Sequence, residues 1–276
     1  MKSLFRYPGS KWSLADWIIS FFPKGYERMV YLEPFLGSGA VFFNKRPGAV
    51  ETINDLDGDV VNFFKVLRER PEELKRQLEL TPYSREEYDR AFEPAEDERE
   101  WASRFAVRTT QAIGAKLNYK CGWRNHHDPK IGGTACRWAG VAGNIDAAAT
   151  RLRGDTTHLV QIECMDAIRL VERYNRREVL MYVDPPYVLS TRKCGRMDRH
   201  EMDEDGHREL LNVLQHIKAH VILSGYDSDL YEENLSGWKK YTKESQITSG
   251  EKAEECLWLN YEPPCMQLDL FEELYG

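Results

Sequence analysis

Val179-Leu180-Met181-Tyr182-Val183-Asp184-Pro185-Pro186-Tyr187 is the stretch that decides the fold. Five apolar residues run between Glu178 and Asp184, a length and composition that predict a buried strand. Two successive prolines cannot donate to a ladder, so the strand stops there. Each proline fixes its own φ and restricts the residue before it, which makes the corner stiff and extended. It carries one carboxylate, carbonyls without a competing N–H and one aromatic ring. In open α/β sheets, ligands bind at the carboxyl ends of strands. A carboxylate and a carbonyl can accept from an amine while a ring stacks on a flat face. The set therefore suits a planar molecule with an exocyclic amino group. A rigid strand-to-loop turn with a packed tyrosine would use the same four residues.

Working outward, Met29 to Leu32 reads as a strand that runs into Glu33-Pro34-Phe35-Leu36-Gly37-Ser38-Gly39, then a helix to about Lys45. Gly37 and Gly39 let backbone approach a ligand closely. The loop is neither G-x-G-x-x-G nor a P-loop. Val50 to Asn54 is a second strand, and Asp55 at its end is placed to bind ribose hydroxyls. Asp57 is expected to cap a helix from near Gly58, with Val60, Val61, Phe64 and Leu67 on its apolar face. Upstream, Pro8-Gly9-Ser10 predicts a tight turn beside Lys11, and Trp12 to Phe21 a helix. Downstream lie a strand at His158 to Glu163 and a short helix after Asp166. A polar loop from Val188 to Glu204, a helix from Gly206 to Ile217 and a strand from Ala219 to Leu223 follow. Tyr241 to Thr248 and Cys256 to Tyr261 read as a closing strand pair. Strands and helices alternating in two runs predict an α/β fold: a Rossmann-like, doubly wound sheet with a small inserted domain.

The insert is marked by charge. The chain carries a net −7, yet Arg104 to Arg153 holds nine Lys/Arg against Asp128 and Asp146, a local +7 on a remainder of −14. A basic island on an acidic chain is a footprint for a polyanion or a solvated face. From Gly114 to Gly143, basic residues interleave with aromatics and amides, a texture suited to phosphate and base contacts. Lys116, Lys120, Arg124, Asn125, His126, Lys130 and Arg137 are the candidate contacts. Between Pro71 and Arg104 the chain reads as solvated helices, with a capping box at Ser84 to Glu87.

Composition bounds the rest. With 276 residues, 42% hydrophobic and seven tryptophans, the chain can bury a sizeable core. No apolar run approaches 18 residues, so no membrane span is expected, and no apolar stretch follows the first basic residues as in a signal peptide. The six cysteines form no C-x-x-C, which suits free thiols in a reducing cytoplasm. Cys121, His126, His127 and Cys136 are too irregularly spaced for zinc, and no metal is expected.

Asp-Pro-Pro-Tyr resembles the catalytic motif of amino-group DNA methyltransferases, and the chain from Arg6 to about Glu262 resembles the Dam-type adenine methyltransferases. The resemblance implies transfer of the methyl group of S-adenosylmethionine to N6 of adenine in double-stranded DNA. It implies catalytic roles for Asp184, Pro185, Pro186 and Tyr187. Cofactor contacts are implied at Tyr7, Lys11, Glu33, Phe35, Gly37, Gly39, Asp55, Asp166 and Asp184. It divides the chain into a core of 1–82 and 150–262, a target-recognition insert of 83–149 and a tail of 263–276. It implies a bacterial or phage-infected cytoplasm, with restriction–modification as one setting. An RNA or cytosine-N4 methyltransferase and a catalytically silent DNA-binding regulator are the alternatives. Serine usually replaces Asp184 in cytosine-amino enzymes, and the intact motif argues against a silent regulator. In the tail, Gln267-Leu268-Asp269-Leu270-Phe271 resembles the motif by which bacterial replication and repair proteins bind the sliding clamp. Packing of Leu268, Leu270 and Phe271 back onto the core is the other reading.

Overall fold

A computed structural model of the chain describes residues 3–113, 120–125, 138, 140–188, 199–246 and 252–264. Among these, seven strands form one sheet: β1 (Val30–Glu33), β2 (Val50–Asn54), β3 (Leu159–Glu163), β4 (Val179–Val183), β5 (His220–Gly225), β6 (Lys239–Gln246) and β7 (Lys252–Leu259). Their order is β3-β2-β1-β4-β5-β7-β6. The first five are parallel, with Val30 opposite both Val50 and Val179. β7 slots antiparallel between β5 and β6. The expected α/β, doubly wound sheet is present. Every residue of β4 is buried, as a strand covered on both faces requires.

Helices cover both faces. On one lie α1 (Ala15–Ser20), α2 (Ala40–Asn44), α3 (Gly58–Glu69), α4 (Pro71–Leu80) and α6 (Glu98–Gln111), with α7 (Ile145–Arg153) returning to the sheet. Phe5, Phe42, Phe63, Phe64 and Phe105 form the aromatic centre of that layer. α5 (Arg85–Arg90) sits on α6. The other face is covered by α8 (Ala167–Arg173), α9 (Glu204–Gln215) and α10 (Asp229–Asn234), packed through Leu170, Leu210, Leu211, Leu214 and Tyr231. α6 and α7 both pack on α3.

The predicted caps form: Asp57 accepts from the Asp59 N–H and Ser84 from that of Glu87. Asp166 also caps, accepting from the Arg169 N–H. Several bounds shift. The first helix starts at Ala15, because residues 12–14 form turns that carry Lys11 inward. β6 starts at Lys239, since its charged side chains sit on an edge strand where water reaches them. β5 runs on past the expected Leu223 through Ser224 and Gly225.

A buried charge cluster closes the amino end of β2. Glu51 is fully buried and accepts from Arg151 at 2.5 and 2.9 Å, from Lys45 and from the Gly48 N–H, with His158 Nε2 2.5 Å away. Burial pushes the Glu51 carboxyl up, but Arg151 and Lys45 outweigh it and hold the group below its ordinary range. The cluster ties α7 to the sheet, far from the carboxyl edge.

Candidate active site

The sheet order reverses between β1 and β4, where an open α/β sheet forms its crevice. Glu33 and Asp184 end those two strands side by side. Asn54, at the end of β2, donates to Pro34 O at 2.9 Å and to Met165 O at 3.0 Å, and accepts from the Met165 N–H. It locks the three loops together at the crevice.

The Gly37–Gly39 loop is shaped by backbone constraints. Gly37 and Gly39 have φ of 50° and 67°, which L side chains rarely adopt. A Cβ on Gly37 would stand 2.8 Å from the Tyr7 ring, and one on Gly39 2.8 Å from that of Phe43. Ser10 and Ser38 share a hydrogen bond of 2.8 Å, so the N-terminal turn closes over this loop. The Asp55 carboxylate accepts from the Gly37 N–H at 2.8 Å and the Asp57 N–H at 2.9 Å. Burial pushes its pKa up to about 6 despite those bonds. Glu33 is 2% exposed and accepts from the Tyr31 hydroxyl at 2.6 Å; burial pushes it up to about 8. Phe35 is half-buried beside the loop. Asp166 is exposed, and its carboxylate is spent capping α8.

At the corner after β4, the Asp184 carboxylate is divided. Oδ2 pairs with Lys11 Nζ at 3.0 Å, while Oδ1 is buried and has no hydrogen-bond partner among the described residues. Lys11, itself 5% exposed, also donates to Gly9 O at 2.7 Å and lies 3.8 Å from Glu255. Burial lowers its pKa, but Asp184 and Glu255 outweigh that and hold it above the ordinary value. The expected lysine therefore has a partner that its place beside a glycine turn did not suggest. Its ammonium lies 4.7 Å from the centre of the Tyr187 ring, and the Tyr226 ring packs edge-on at 4.5 Å. The Tyr187 hydroxyl donates to Glu255, which also accepts from Ser224 at 2.6 Å.

Two further residues were missed in the sequence. One is Glu255, within β7. The other is Arg199, which reaches Asp57 at 3.4 Å and Asp59 at 2.9 Å. Asp59 also holds Arg108 of α6 at 2.6 Å and accepts from Trp101 Nε1 at 2.7 Å.

The basic island is partly spent within the protein. Arg104 pairs with Glu100, Arg108 with Asp59, Arg151 with Glu51 and Lys120 with Asp89 at 2.6 Å. Arg124 Nε donates to Ala112 O, and Asn125 is exposed. Both sit on a segment bridged to the end of α6 through Trp123 and Ala112. Lys116, His126, Lys130 and Arg137 lie outside the described residues, as do the tail residues Gln267, Leu268, Leu270 and Phe271. Of the four imagined zinc ligands, only Cys121 is described, and no group of three or more potential ligands occurs among the described residues. None of the described helices is long and apolar enough to cross a membrane.

A Rossmann-like sheet carries a glycine loop after β1, an acid after β2 and Asp-Pro-Pro-Tyr after β4, the blocks that resemble those of amino-group methyltransferases using S-adenosylmethionine. The model of the D12 class N6 adenine-specific DNA methyltransferases matches residues 7–249, and the chain belongs to that family. It is an adenine-specific DNA methyltransferase with S-adenosylmethionine as methyl donor. A type II methyltransferase of Lactococcus lactis subsp. cremoris is 22% identical over 273 residues, covering 92% of this chain and 91% of that protein. A DNA N-6-adenine-methyltransferase of Escherichia phage P1 is 36% identical over 74 residues, 26% of this chain and 9% of that protein. Among solved structures, an rRNA methyltransferase of Streptomyces viridochromogenes aligns with TM-score 0.41 and 14% identity, covering 92% of this chain and 86% of that one.

Proposed function

We propose that Asp184 and the Pro185 carbonyl receive the exocyclic amino group of an adenine turned out of duplex DNA, with Tyr187 stacking on the base. The observation that carries this reading is the divided carboxylate, one oxygen committed to Lys11 and the other buried without a partner among the described residues. A buried acceptor left open calls for a donor. The amino nitrogen's lone pair is delocalised into the purine ring. Two acceptors on its protons draw it toward a tetrahedral geometry and stabilise the positive charge that develops there. Pro186 keeps the corner rigid.

S-adenosylmethionine supplies a methyl group on a positively charged sulfonium. The residues present suit it: a turn at Gly37 and Gly39 whose positive φ exposes backbone, beside buried carboxyl groups that can take hydroxyls. Tyr7, Lys11, Glu33, Phe35, Gly37, Gly39, Asp55, Asp166 and Asp184 would line its place. Lys11 also orients Asp184. Assays of tritiated methyl transfer to adenine-containing DNA, to RNA and to DNA with cytosine as its only amino-bearing base test the reading. Transfer to the first alone is expected. Equal transfer to RNA or to the cytosine substrate would overturn it.

Residues 83–149 then form the target-recognition insert, with Lys116, Lys120, Arg124, Asn125, His126, Lys130 and Arg137 against DNA. Replacing Lys120, Arg124 and Lys130 by alanine should flatten the log–log salt dependence of binding by about one per lost phosphate contact. An unchanged slope would mean a solvated face. The enzyme would act in the cytoplasm of a bacterial or phage-infected cell. For the tail, Gln267, Leu268, Leu270 and Phe271 would bind the sliding clamp, Gln267 at the rim of an apolar pocket that takes Leu270 and Phe271. Tethering would raise the enzyme's concentration on newly replicated DNA. This reading rests on the motif, and titration of clamp with a peptide of residues 263–276 tests it. Binding no better than that of a Leu270→Ala, Phe271→Ala control would refute it.

A further inference from the structure

Glu255 is a carboxylate at the end of an apolar column. Residues 255, 257 and 259 of β7 share one face of the strand, and Leu257 and Leu259 lie in the main core. Because β7 runs antiparallel to β5 and pairs Cys256 with Gly225, Glu255 comes to the carboxyl edge of the parallel strands. There it is 3% exposed. A buried carboxylate is costly unless its lone pairs are filled, and Glu255 has the hydroxyls of Tyr187 and Ser224 with the Lys11 ammonium 3.8 Å away. Burial, with Glu255 and Asp184 nearby, holds the Tyr187 phenol well above its ordinary range, so it stays protonated and acts as the donor.

Three contacts therefore restrain one ring. Glu255 holds the hydroxyl, Lys11 lies over the ring and the edge of Tyr226 packs against it. An unanchored tyrosine tilts about χ2, which is a broad torsion. A base stacked on a tilting ring leaves the line of transfer, and small misplacements of a reacting group cost rate steeply. We propose that Glu255 is a positioning residue for adenine methylation, anchoring the Tyr187 hydroxyl so that the ring keeps the plane on which the target base stacks. This rests on the reading that Tyr187 receives that base. Lys11 keeps its own anchors, Asp184 at 3.0 Å and Gly9 O at 2.7 Å, so Glu255 acts chiefly through Tyr187.

The test is a double-mutant cycle on the full chain with saturating S-adenosylmethionine. Its DNA substrate carries the site found by sequencing modified bases from expressing cells. Glu255→Gln preserves shape, and Tyr187→Phe removes only the hydroxyl. Each single variant should lower kcat about tenfold, and the double variant no further than the worse single, because both delete one contact. Binding of S-adenosylmethionine, measured by calorimetry, should change less than threefold. The lifetime of 2-aminopurine at the target position should lengthen alike in all three variants as stacking loosens. A normal kcat for Glu255→Gln, or a hundredfold loss in the double variant, would overturn the proposal. Asp184→Asn run in parallel separates the layers. Its loss of kcat beside an unaffected Glu255→Gln refutes only the positioning role, whereas normal turnover in Asp184→Asn refutes the underlying reading of the corner.

Discussion

Asp184→Asn offers the sharpest trial of the corner. Asparagine keeps the shape of aspartate but supplies one acceptor oxygen in place of two. In the native site one oxygen faces Lys11 at 3.0 Å and the other is open. If the amide turns its NH2 toward Lys11, donor meets ammonium; if it turns the NH2 outward, the substrate amine loses its acceptor. Either orientation sacrifices one interaction. Removing one preorganised partner of a transition state costs roughly 10²–10³ in kcat, about 2.7–4 kcal/mol. Single-turnover tritium transfer at saturating cofactor and DNA reads the chemical step, while calorimetry with S-adenosylmethionine should show only modest weakening. Asp184→Ala should abolish transfer and also strip Lys11 of its nearest anion, leaving Glu255 at 3.8 Å. Its thermal midpoint should fall, since orphaning a buried charge costs up to about 3–5 kcal/mol. Near-normal kcat in Asp184→Asn would refute the reasoning.

Three other outcomes follow from the geometry. Burial raises Glu33 from 4.5 to about 8, so the folded chain keeps a proton that the unfolded chain releases between those values. Its contribution to stability therefore declines as pH rises from about 4.5 to 8, by at most about 1.4 kcal/mol per unit, and Glu33→Gln should remove that decline in melts taken across the range. Gly37→Ala adds a Cβ 2.8 Å from the Tyr7 ring at a φ of 50°. Left-handed backbone costs a side chain about 1–2 kcal/mol, carried by the folded chain with or without cofactor, so thermal melts should show a loss of about that size. Glu51→Gln leaves Lys45 and Arg151 without their shared anion. Thermal melts should show a loss of about 3–5 kcal/mol, with turnover per folded molecule unchanged.

What could be read in advance was local. β4 stands where its apolar run placed it, because a buried parallel strand needs little beyond its own composition, and β2 spans the expected Val50–Asn54. The caps at Asp57 and Ser84 formed because each is a contact within two or three residues. Contacts that cross the chain were opaque. Lys11 reads as a cofactor contact beside a tight turn, and its engagement with Asp184 depends on β1 and β4 being neighbours. Glu255 sits among charged residues in the sequence, Glu251 to Glu255, with nothing to mark it as buried. Only the insertion of β7 beside β5 carries it to Tyr187. The same holds for Glu51 and Arg151, a hundred residues apart, and for Arg108 and Lys120 of the basic island, whose charge is consumed by acids distant in the sequence.

A ribosome making this chain releases Tyr187 long before Glu255. Sixty-eight residues separate them, roughly 3–14 s of synthesis at ordinary rates. Throughout that interval the Tyr187 phenol has no buried acceptor, and β5, once made, has an open edge until β7 arrives. β7 is the last strand of the sheet to emerge, and it must enter between β5 and the already synthesised β6. One late hairpin therefore moves the sheet's open edge from apolar β5 to charged β6 and completes the corner at Tyr187 in the same event.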